Sequence, residues 1–285
     1  MKKTFNKINK KATITAVVIA ALSIAAITCA VFALKFFKTP DTPDGQTQPT
    51  IDATSTGWDS LISDGTITVQ GATLVAVKPD LAGTLTLPDT ITAIGDNAFN
   101  SCINLTNVIF EGEIKSIGDS AFYGCTALSG KIILPETVKS IGSYAFYGCA
   151  EITGIELPAS LETIGNRAFM FCSGLTGEFV IPDAVIGIED STFYGCTSLT
   201  QITLGEGVEF VGSYVFYGCT ALTDIDIPVS VKDIGDSAFL ECTSLANINY
   251  SGTEGEWEEI FFGKDWTKGL QNYRVNYSKG TQKSE

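Results

Sequence analysis

The sequence predicts a repeat solenoid in which each unit of about 23 residues supplies one short β-strand and one short helical turn. Three observations carry this. Cys102, Cys125, Cys149, Cys172, Cys196, Cys219 and Cys242 recur at intervals of 23, 24, 23, 24, 23 and 23 residues. Each closes the same phrase: residues 94–105 read IGDNAFNSCINL, 117–128 read IGDSAFYGCTAL and 234–245 read IGDSAFLECTSL. Phe99, Phe122, Phe146, Phe169, Phe193, Phe216 and Phe239 hold one position throughout. A unit this small cannot bury its apolar side alone, so its copies must stack.

The elements follow from one copy, CTALTDIDIPVSVKDIGDSAFLEC, residues 219–242. Ile225 and Ile227 bracket Asp226, as in a half-buried strand. Pro228 ends the strand because it cannot donate to a ladder. Val231 and Ile234 continue the inward set, and Gly235 permits a tight turn. The next position holds Asp96, Asp119, Ser143, Asn166, Asp190, Ser213 and Asp236. All are preferred helix N-caps, and the expectation is that each caps one helical turn leading to its cysteine. A calcium site from the aspartates is disfavoured, because Ser and Asn interrupt the row.

Stacking places the phenylalanines in a continuous aromatic column at strand spacing, about 4.8 Å. The cysteines should stack as well. Seven is odd, and side chains pointing inward together read as buried reduced thiols, small hydrophobes rather than disulfides. No C-x-x-C spacing suggests zinc. Neither a metal nor a cofactor is expected.

Charge limits the partners. Residues 1–38 hold seven lysines and no acid, so the remainder sets 11 Lys plus Arg against 32 acids, a net of −21. Such a body is unsuited to nucleic acid, which requires concentrated Lys and Arg. The chain has no histidine, which removes Ser-His-Asp and Cys-His catalysis. Acids are plentiful, but none lies in a motif distinct from the repeat, so no catalytic residue is assigned and no enzyme is expected.

The amino terminus reads as an export element. Lys2, Lys3, Lys7, Lys10 and Lys11 form a basic segment, 1–11, before an apolar run over 12–34. That run is 23 residues long, enough for a bilayer that needs roughly 20. Length favours a transmembrane signal-anchor, single-pass, with the first residues cytoplasmic by the positive-inside bias and the rest extracellular. Two alternatives stand beside it: cleavage after Ala33, giving a secreted form, and lipid attachment at Cys29 behind Thr28. Residues 35–57, with three prolines in TPDTPDGQTQPTIDATSTG, read as a disordered linker. Residues 58–80 form an N-terminal cap, 81–250 the seven repeats and 251–285 a C-terminal cap and tail. Within the last, EGEWEEIFF (254–262) is expected as an amphipathic helix with Trp257, Ile260 and Phe261 inward, and NYRVNYS (272–278) as a strand.

The pattern L-x-x-I-x-I-P-x-x-V-x-x-I-G-x-x-A-F-x-x-C, repeated over 81–250, resembles the BspA-like class of bacterial leucine-rich repeats. The segment INYSGTEGEWEEI (248–260) is similar to the carboxy-terminal cap of that class, without its frequent final cysteine. Glu189 departs from the Gly, Thr192 and Val215 from the Ala, and Gly205 from the Pro; two copies start their strand one residue late, at Gly130-Lys131 and Gly177-Glu178. The resemblance implies a right-handed superhelix displayed at the cell surface. It also implies adhesion or protein binding, with an extracellular ligand such as a host matrix or cell-surface protein.

Two rows are candidate binding surfaces. The strand row comprises Asn107, Ile109, Lys131, Ile133, Glu156, Glu178, Val180, Gln201, Thr203, Asp224, Asp226, Asn247 and Asn249. Its character drifts from apolar and basic to acidic and then to amide, as a recognition surface or an unselected solvated face would. The aromatic row comprises Tyr123, Tyr147, Tyr194 and Tyr217, with Met170 and Phe171 in the odd copy. Exposed Tyr suits an interface; rings lying flat on the next copy would only seal the spine. A self-associating envelope protein is the alternative function.

Overall fold

The structure is a computed structural model that describes residues 50–51 and 55–278. The basic segment 1–11, the anchor 12–34, Cys29, the Ala33 cleavage site and most of the linker lie outside those residues. No helix among the described residues is long and apolar enough to cross a membrane. Among the described residues, regular structure is already present inside the segment read as a linker, with β1 (Thr50–Ile51) and α1 (Ser55–Ser63). A hairpin follows, β2 (Ile67–Gln70) antiparallel to β3 (Thr73–Val77).

The repeats then lay down alternating long and two-residue strands. The long ones are β4 (Gly83–Leu87), β6 (Leu105–Phe110), β8 (Gly130–Ile133), β10 (Ile152–Glu156), β12 (Gly177–Val180), β14 (Leu199–Thr203), β16 (Asp224–Ile227) and β18 (Asn247–Tyr250). The short ones are β5 (Ala93–Ile94), β7 (Ser116–Ile117), β9 (Ser140–Ile141), β11 (Thr163–Ile164), β13 (Gly187–Ile188), β15 (Phe210–Val211) and β17 (Asp233–Ile234). The carboxy-terminal cap adds α2 (Glu254–Glu258), β19 (Phe261–Phe262) and β20 (Arg274–Tyr277). Repeat strands pair in parallel with their counterparts in neighbouring copies, giving one ladder of long strands and one of short strands. The expectation of one strand per repeat is therefore exceeded by the second, shorter strand.

The expected helical turn does not form. The segment from the Gly to the Cys is an irregular turn with two left-handed residues per copy. The first is Asn97, Ser120, Tyr144, Arg167, Ser191, Tyr214 or Ser237, with φ from 54 to 59°. The second precedes the cysteine: Ser101, Gly124, Gly148, Phe171, Gly195, Gly218 or Glu241, with φ from 61 to 73°. Right-handed helix cannot run through either position. The turn backbone instead bonds to the next copy, as in Asn97 N–H to Asp119 O (2.8 Å), Phe99 N–H to Ala121 O (2.7 Å) and Ser101 N–H to Tyr123 O (2.7 Å). These bonds make a third ladder, along the turn face.

The aspartates consequently are not helix caps. Asp96 Oδ1 accepts from Asp119 N–H (2.8 Å), Asp119 Oδ1 from Ser143 N–H (2.7 Å), Asp190 Oδ1 from Ser213 N–H (2.7 Å) and Asp236 Oδ1 from Lys264 N–H (2.6 Å). Each ties its own copy to the one above. This close stacking explains the preceding Gly. A Cβ at Gly142 would fall 2.5 Å from Asp119 Oδ1, and one at Gly165 2.5 Å from Ser143 N.

The core is a set of columns. Adjacent Phe rings of the spine stack at 4.7, 5.0, 5.7, 5.4, 5.7 and 5.3 Å between centroids, with Phe146 and its neighbours fully buried. Full burial of each such side chain contributes about 1.5–3 kcal/mol. The seven cysteines are free and buried, as expected. Each thiol from Cys125 onward donates to the carbonyl of the Phe one copy back: Cys125 Sγ to Phe99 O at 3.0 Å, Cys172 Sγ to Phe146 O at 3.0 Å and Cys242 Sγ to Phe216 O at 2.9 Å. The same carbonyls also accept from a backbone amide, as Phe99 O does from Cys102 N–H (3.0 Å). The thiol thus occupies the second lone pair of a buried oxygen.

The cap differs from expectation in one residue. The capping box Thr253–Glu256 starts α2, and Trp257 and Ile260 are buried. Phe261 is 65% exposed, because the helix ends before it and β19 pairs with β17, leaving Phe262 to pack on Trp266 at 4.4 Å.

The long-strand ladder is interrupted twice among the described residues, between β6 and β8 and between β10 and β12. Both breaks precede a copy with one additional glycine. Gly83, Gly130 and Gly177 lie 47 residues apart and have φ of 86, 78 and 72°. The additional residue shifts the strand start. One backbone bond survives at the base of each break, Ser129 N–H to Thr106 O and Thr176 N–H to Thr153 O, both 3.1 Å. Among the described residues the short-strand ladder breaks once, between β11 and β13. There Glu189 stands where the neighbouring copies have Gly, a position at which an added Cβ falls 2.5 Å (Gly165) or 2.7 Å (Gly212) from the copy below. Both strand ladders are therefore open at one level, between β10–β11 and β12–β13. Beyond the Thr176–Thr153 bond, backbone continuity across it is carried by the turn ladder, through Arg167 N–H to Asp190 O (3.1 Å), Phe169 N–H to Thr192 O (3.0 Å) and Phe171 N–H to Tyr194 O (2.8 Å).

Candidate interaction surface

The two candidate rows lie on different elements. The strand row projects from the long-strand ladder, because alternate residues of a strand face one side. Gly177 and Gly130 divide this row into two kinds of surface.

From β14 onward it is a bonded polar ladder. Asp226 Oδ2 accepts from Gln201 Nε2 (3.2 Å) and Thr203 Oγ1 (3.1 Å), and its Oδ1 accepts from Asn249 Nδ2 (2.7 Å). Asn247 Nδ2 donates to Asp224 Oδ1 (2.6 Å). β20 prolongs both lines, with Arg274 Nε donating to Asn247 Oδ1 (2.7 Å) and Asn276 Nδ2 to Asn249 Oδ1 (2.8 Å). Arg274 and Asn276 were absent from the candidate row, since their segment carries no cysteine phrase. The period-2 alternation of RVNY was the available signal.

Before β14 the face is apolar and charged. Ile109 (43%), Ile133 (64%) and Val180 (52%) are exposed β-branched residues flanking the two breaks. Lys131 and Glu156 form an ion pair across β8 and β10, and Glu178 accepts from Thr203 Oγ1 (2.7 Å). A groove of about 350 Å³ lies at the first break, lined by Ile109, Ile133 and Pro135 among others. A larger one, about 1010 Å³, lies at the second. Its apolar lining includes Ile155, Leu157, Phe179, Val180 and Ile181, and its charged lining is Lys131, Glu156, Glu178 and Asp183. Phe179 was not singled out by sequence reasoning. It packs on Phe169 (5.4 Å) and Phe193 (5.0 Å), filling the interior of the open level.

The aromatic row is a half-buried column on the turn face. Tyr123 stacks on Tyr147 at 4.6 Å and Tyr194 on Tyr217 at 4.5 Å. Phe171 stands edge-on between the two pairs, 5.6 Å from Tyr147 and 5.5 Å from Tyr194. Phe171 holds the position of the usual Gly rather than the Tyr, and its ring lies over Gly195, where a Cβ would meet Phe171 Cδ1 at 2.6 Å. Arg167 Nη1 donates to Tyr144 Oη (2.9 Å). Burial, with Tyr217 alongside, pushes the Tyr194 hydroxyl up to about 12. Within each Tyr pair the facing ring surfaces cover one another, and Phe171 bridges the pairs edge-on.

Similarity agrees with this architecture. A family model described as BspA type leucine rich repeat region matches in six copies, over residues 82–185 and 176–272. Among solved structures, a leucine-rich repeat protein from Bacteroides ovatus is 22% identical with a TM-score of 0.55, covering 75% of this chain and 62% of that one. The chain thus spans less than two thirds of that structure's length. The T. pallidum leucine rich repeat protein is 23% identical with a TM-score of 0.50, covering 73% of this chain and 87% of that one. At this identity the likeness concerns the fold. No curated protein matches the chain. With repeats matched over most of its length and the stacked columns that they specify, the chain belongs to the BspA-type leucine-rich repeat family.

Proposed function

We propose that the chain is a membrane-anchored surface protein whose repeats recognise another protein through the long-strand face, in adhesion to host matrix or to other cells. One observation carries the reading: Ile109, Ile133 and Val180 stand exposed on the same face as two grooves and a mixed-charge row. Exposed apolar side chains clustered beside polar ones mark interaction sites more than isolated ones do. The five lysines before a 23-residue apolar run support the anchored setting.

The test is capture of matrix proteins or epithelial cells by the full chain, compared with the double variant Ile133→Asp, Val180→Asp. Capture lost in the variant, with unchanged thermal unfolding, is the expected result. Equal capture by both chains would remove the strand face from the mechanism. A second reading, self-association, is favoured by the exposed Phe261 and by β20 at the end of its ladder. It gains if the chain recovers only itself and Phe261→Ser abolishes that recovery.

A further inference from the structure

The open level between β10 and β12 has a counterpart elsewhere in the chain. Gly83, Gly130 and Gly177 are equivalent positions, and the strand after each begins with a shifted edge. At β4 that edge is not vacant: β1, from outside the repeats, pairs with it in parallel, Thr50 opposite Thr84 and Ile51 opposite Leu85. The equivalent edge of β12 has no ladder partner toward β10 among the described residues. Between them lies the groove of about 1010 Å³, large enough for several residues of extended chain.

We propose that this groove docks an extended, cationic segment of a partner protein, added alongside β12 as β1 is added to β4. The inference rests on the reading of the long-strand face as an interaction surface. Backbone groups of an unpaired strand edge supply affinity in such an addition, and the lining selects side chains at alternate positions. Ile155, Leu157, Phe179 and Ile181 offer an apolar floor, so every second side chain of the segment is apolar. Glu156, Glu178 and Asp183 line the groove against the single cation Lys131, which is already paired with Glu156. The intervening side chains of the segment are therefore Lys or Arg. The surrounding net charge of −21 over residues 39–285 steers such a segment toward the groove.

The test uses the full chain and three labelled octapeptides: alternating Lys and Ile, alternating Glu and Ile, and alternating Lys and Ser. Fluorescence anisotropy is expected to show saturable binding of the first alone. Glu178→Lys should weaken it by about tenfold or more. A chain lacking Gly177 and carrying Glu189→Gly should lose it, because both changes return that copy to the form of its neighbours and let β12 pair with β10. Thermal unfolding of each variant verifies that it folds; should the deletion variant not fold, Glu178→Lys decides. No saturation by the Lys–Ile peptide, or equal binding by the Glu178→Lys chain, overturns the site. Equal binding of the Glu–Ile peptide overturns the charge assignment. Capture of a protein lost in Ile133→Asp, Val180→Asp while the peptide stays unbound would overturn this docking site and leave the wider reading standing.

Discussion

The two halves of the long-strand face are built from the same unit and behave as opposites. From β12 to β20 five strands pair without interruption, and from β14 onward their outward side chains bond to one another in lines. From β4 to β12 the ladder is cut twice, and the outward side chains are β-branched or ion-paired. The difference traces to single residues, Gly130 and Gly177, each placed once in a 47-residue double repeat that the last copies abandon. In a solenoid each copy touches only its neighbours, so one inserted residue opens one level and leaves the rest intact. Continuity stabilises the carboxy-terminal half, which carries a groove of about 410 Å³ along Asp226, Asn249 and Asn276; the second interruption opens the larger groove, about 1010 Å³.

The thiol column beneath both halves ignores the interruptions, and that gives the largest expected effect. Burial raises the thiols above the ordinary cysteine range near 9, to about 11 for Cys102 and to about 12 for Cys172 and Cys242. Cys149, Cys196 and Cys219 are also held well above it. The unfolded chain releases these protons at lower pH than the folded one. Stability from the column is therefore complete below about pH 9 and is lost as pH rises toward 11–12. Each thiol contributes a slope of about 1.4 kcal/mol per pH unit in that window. Urea unfolding at pH 8, 9 and 10 should show a steep decline above 9, with all seven thiols of the native repeats unreactive to an alkylating agent at pH 7.5. A flat profile would mean that the column is not sealed.

Phe179→Ala probes the open level itself. The ring spans Phe169 and Phe193 where both strand ladders are absent, so truncation should cost about 3–5 kcal/mol. It should also separate unfolding into two transitions, since side-chain packing is a principal coupling left there. A single transition with a loss below about 1 kcal/mol would show the two halves to be joined chiefly by the turn ladder.

Asp226→Ala tests the bonded half against Glu156→Ala in the interrupted half. Asp226 is half-buried and accepts from Gln201 and Asn249 and shares the Thr203 hydroxyl with Glu178, so its loss should cost about 1.5–3 kcal/mol in urea unfolding. Glu156 pairs with Lys131 in the open, with side chains 51% and 57% exposed, and should cost no more than about 1 kcal/mol. Equal losses would erase the energetic distinction between the halves.

Much of this was legible in the sequence. The columns of Phe and Cys follow from period alone, because stacked copies must superpose like residues. The turn was not legible. Its first left-handed position holds Asn97, Tyr144 and Arg167 in different copies, types with no common backbone preference that would announce it. The second was announced by Gly124, Gly148, Gly195 and Gly218, but a Gly near the end of a supposed helix reads equally as its cap. The role of the aspartates was misread for the same reason: within one copy they precede a turn, and only stacking reveals that their acceptors serve the next. The late strand starts at Gly130 and Gly177 were visible as irregularities; that they sever a ladder depends on pairing between copies, which one copy does not encode.

Glu189→Gly gives the smallest expected effect and the sharpest statement about cause. At the equivalent position the copies above and below donate to the short strand one copy back, as Gly165 N–H does to Ile141 O and Gly212 N–H to Ile188 O, at 2.8 and 2.7 Å. No such bond runs from Glu189 to Ile164 among the described residues, nor from Ile186 to Glu162, although Glu209 N–H bonds to Ile186 O (2.7 Å). Removing the Cβ lets that turn settle and both bonds form, a gain of about 0.5–1.5 kcal/mol each. Added glycine entropy in the unfolded chain opposes this by about 0.5–1 kcal/mol. The bonds win by about 1 kcal/mol, so the variant should unfold at higher urea concentration, and the Ile186 amide should exchange more slowly. Unchanged exchange at Ile186 would assign the break to Gly177 alone, since the long-strand shift would then hold β13 away from β11 whatever residue occupies the turn.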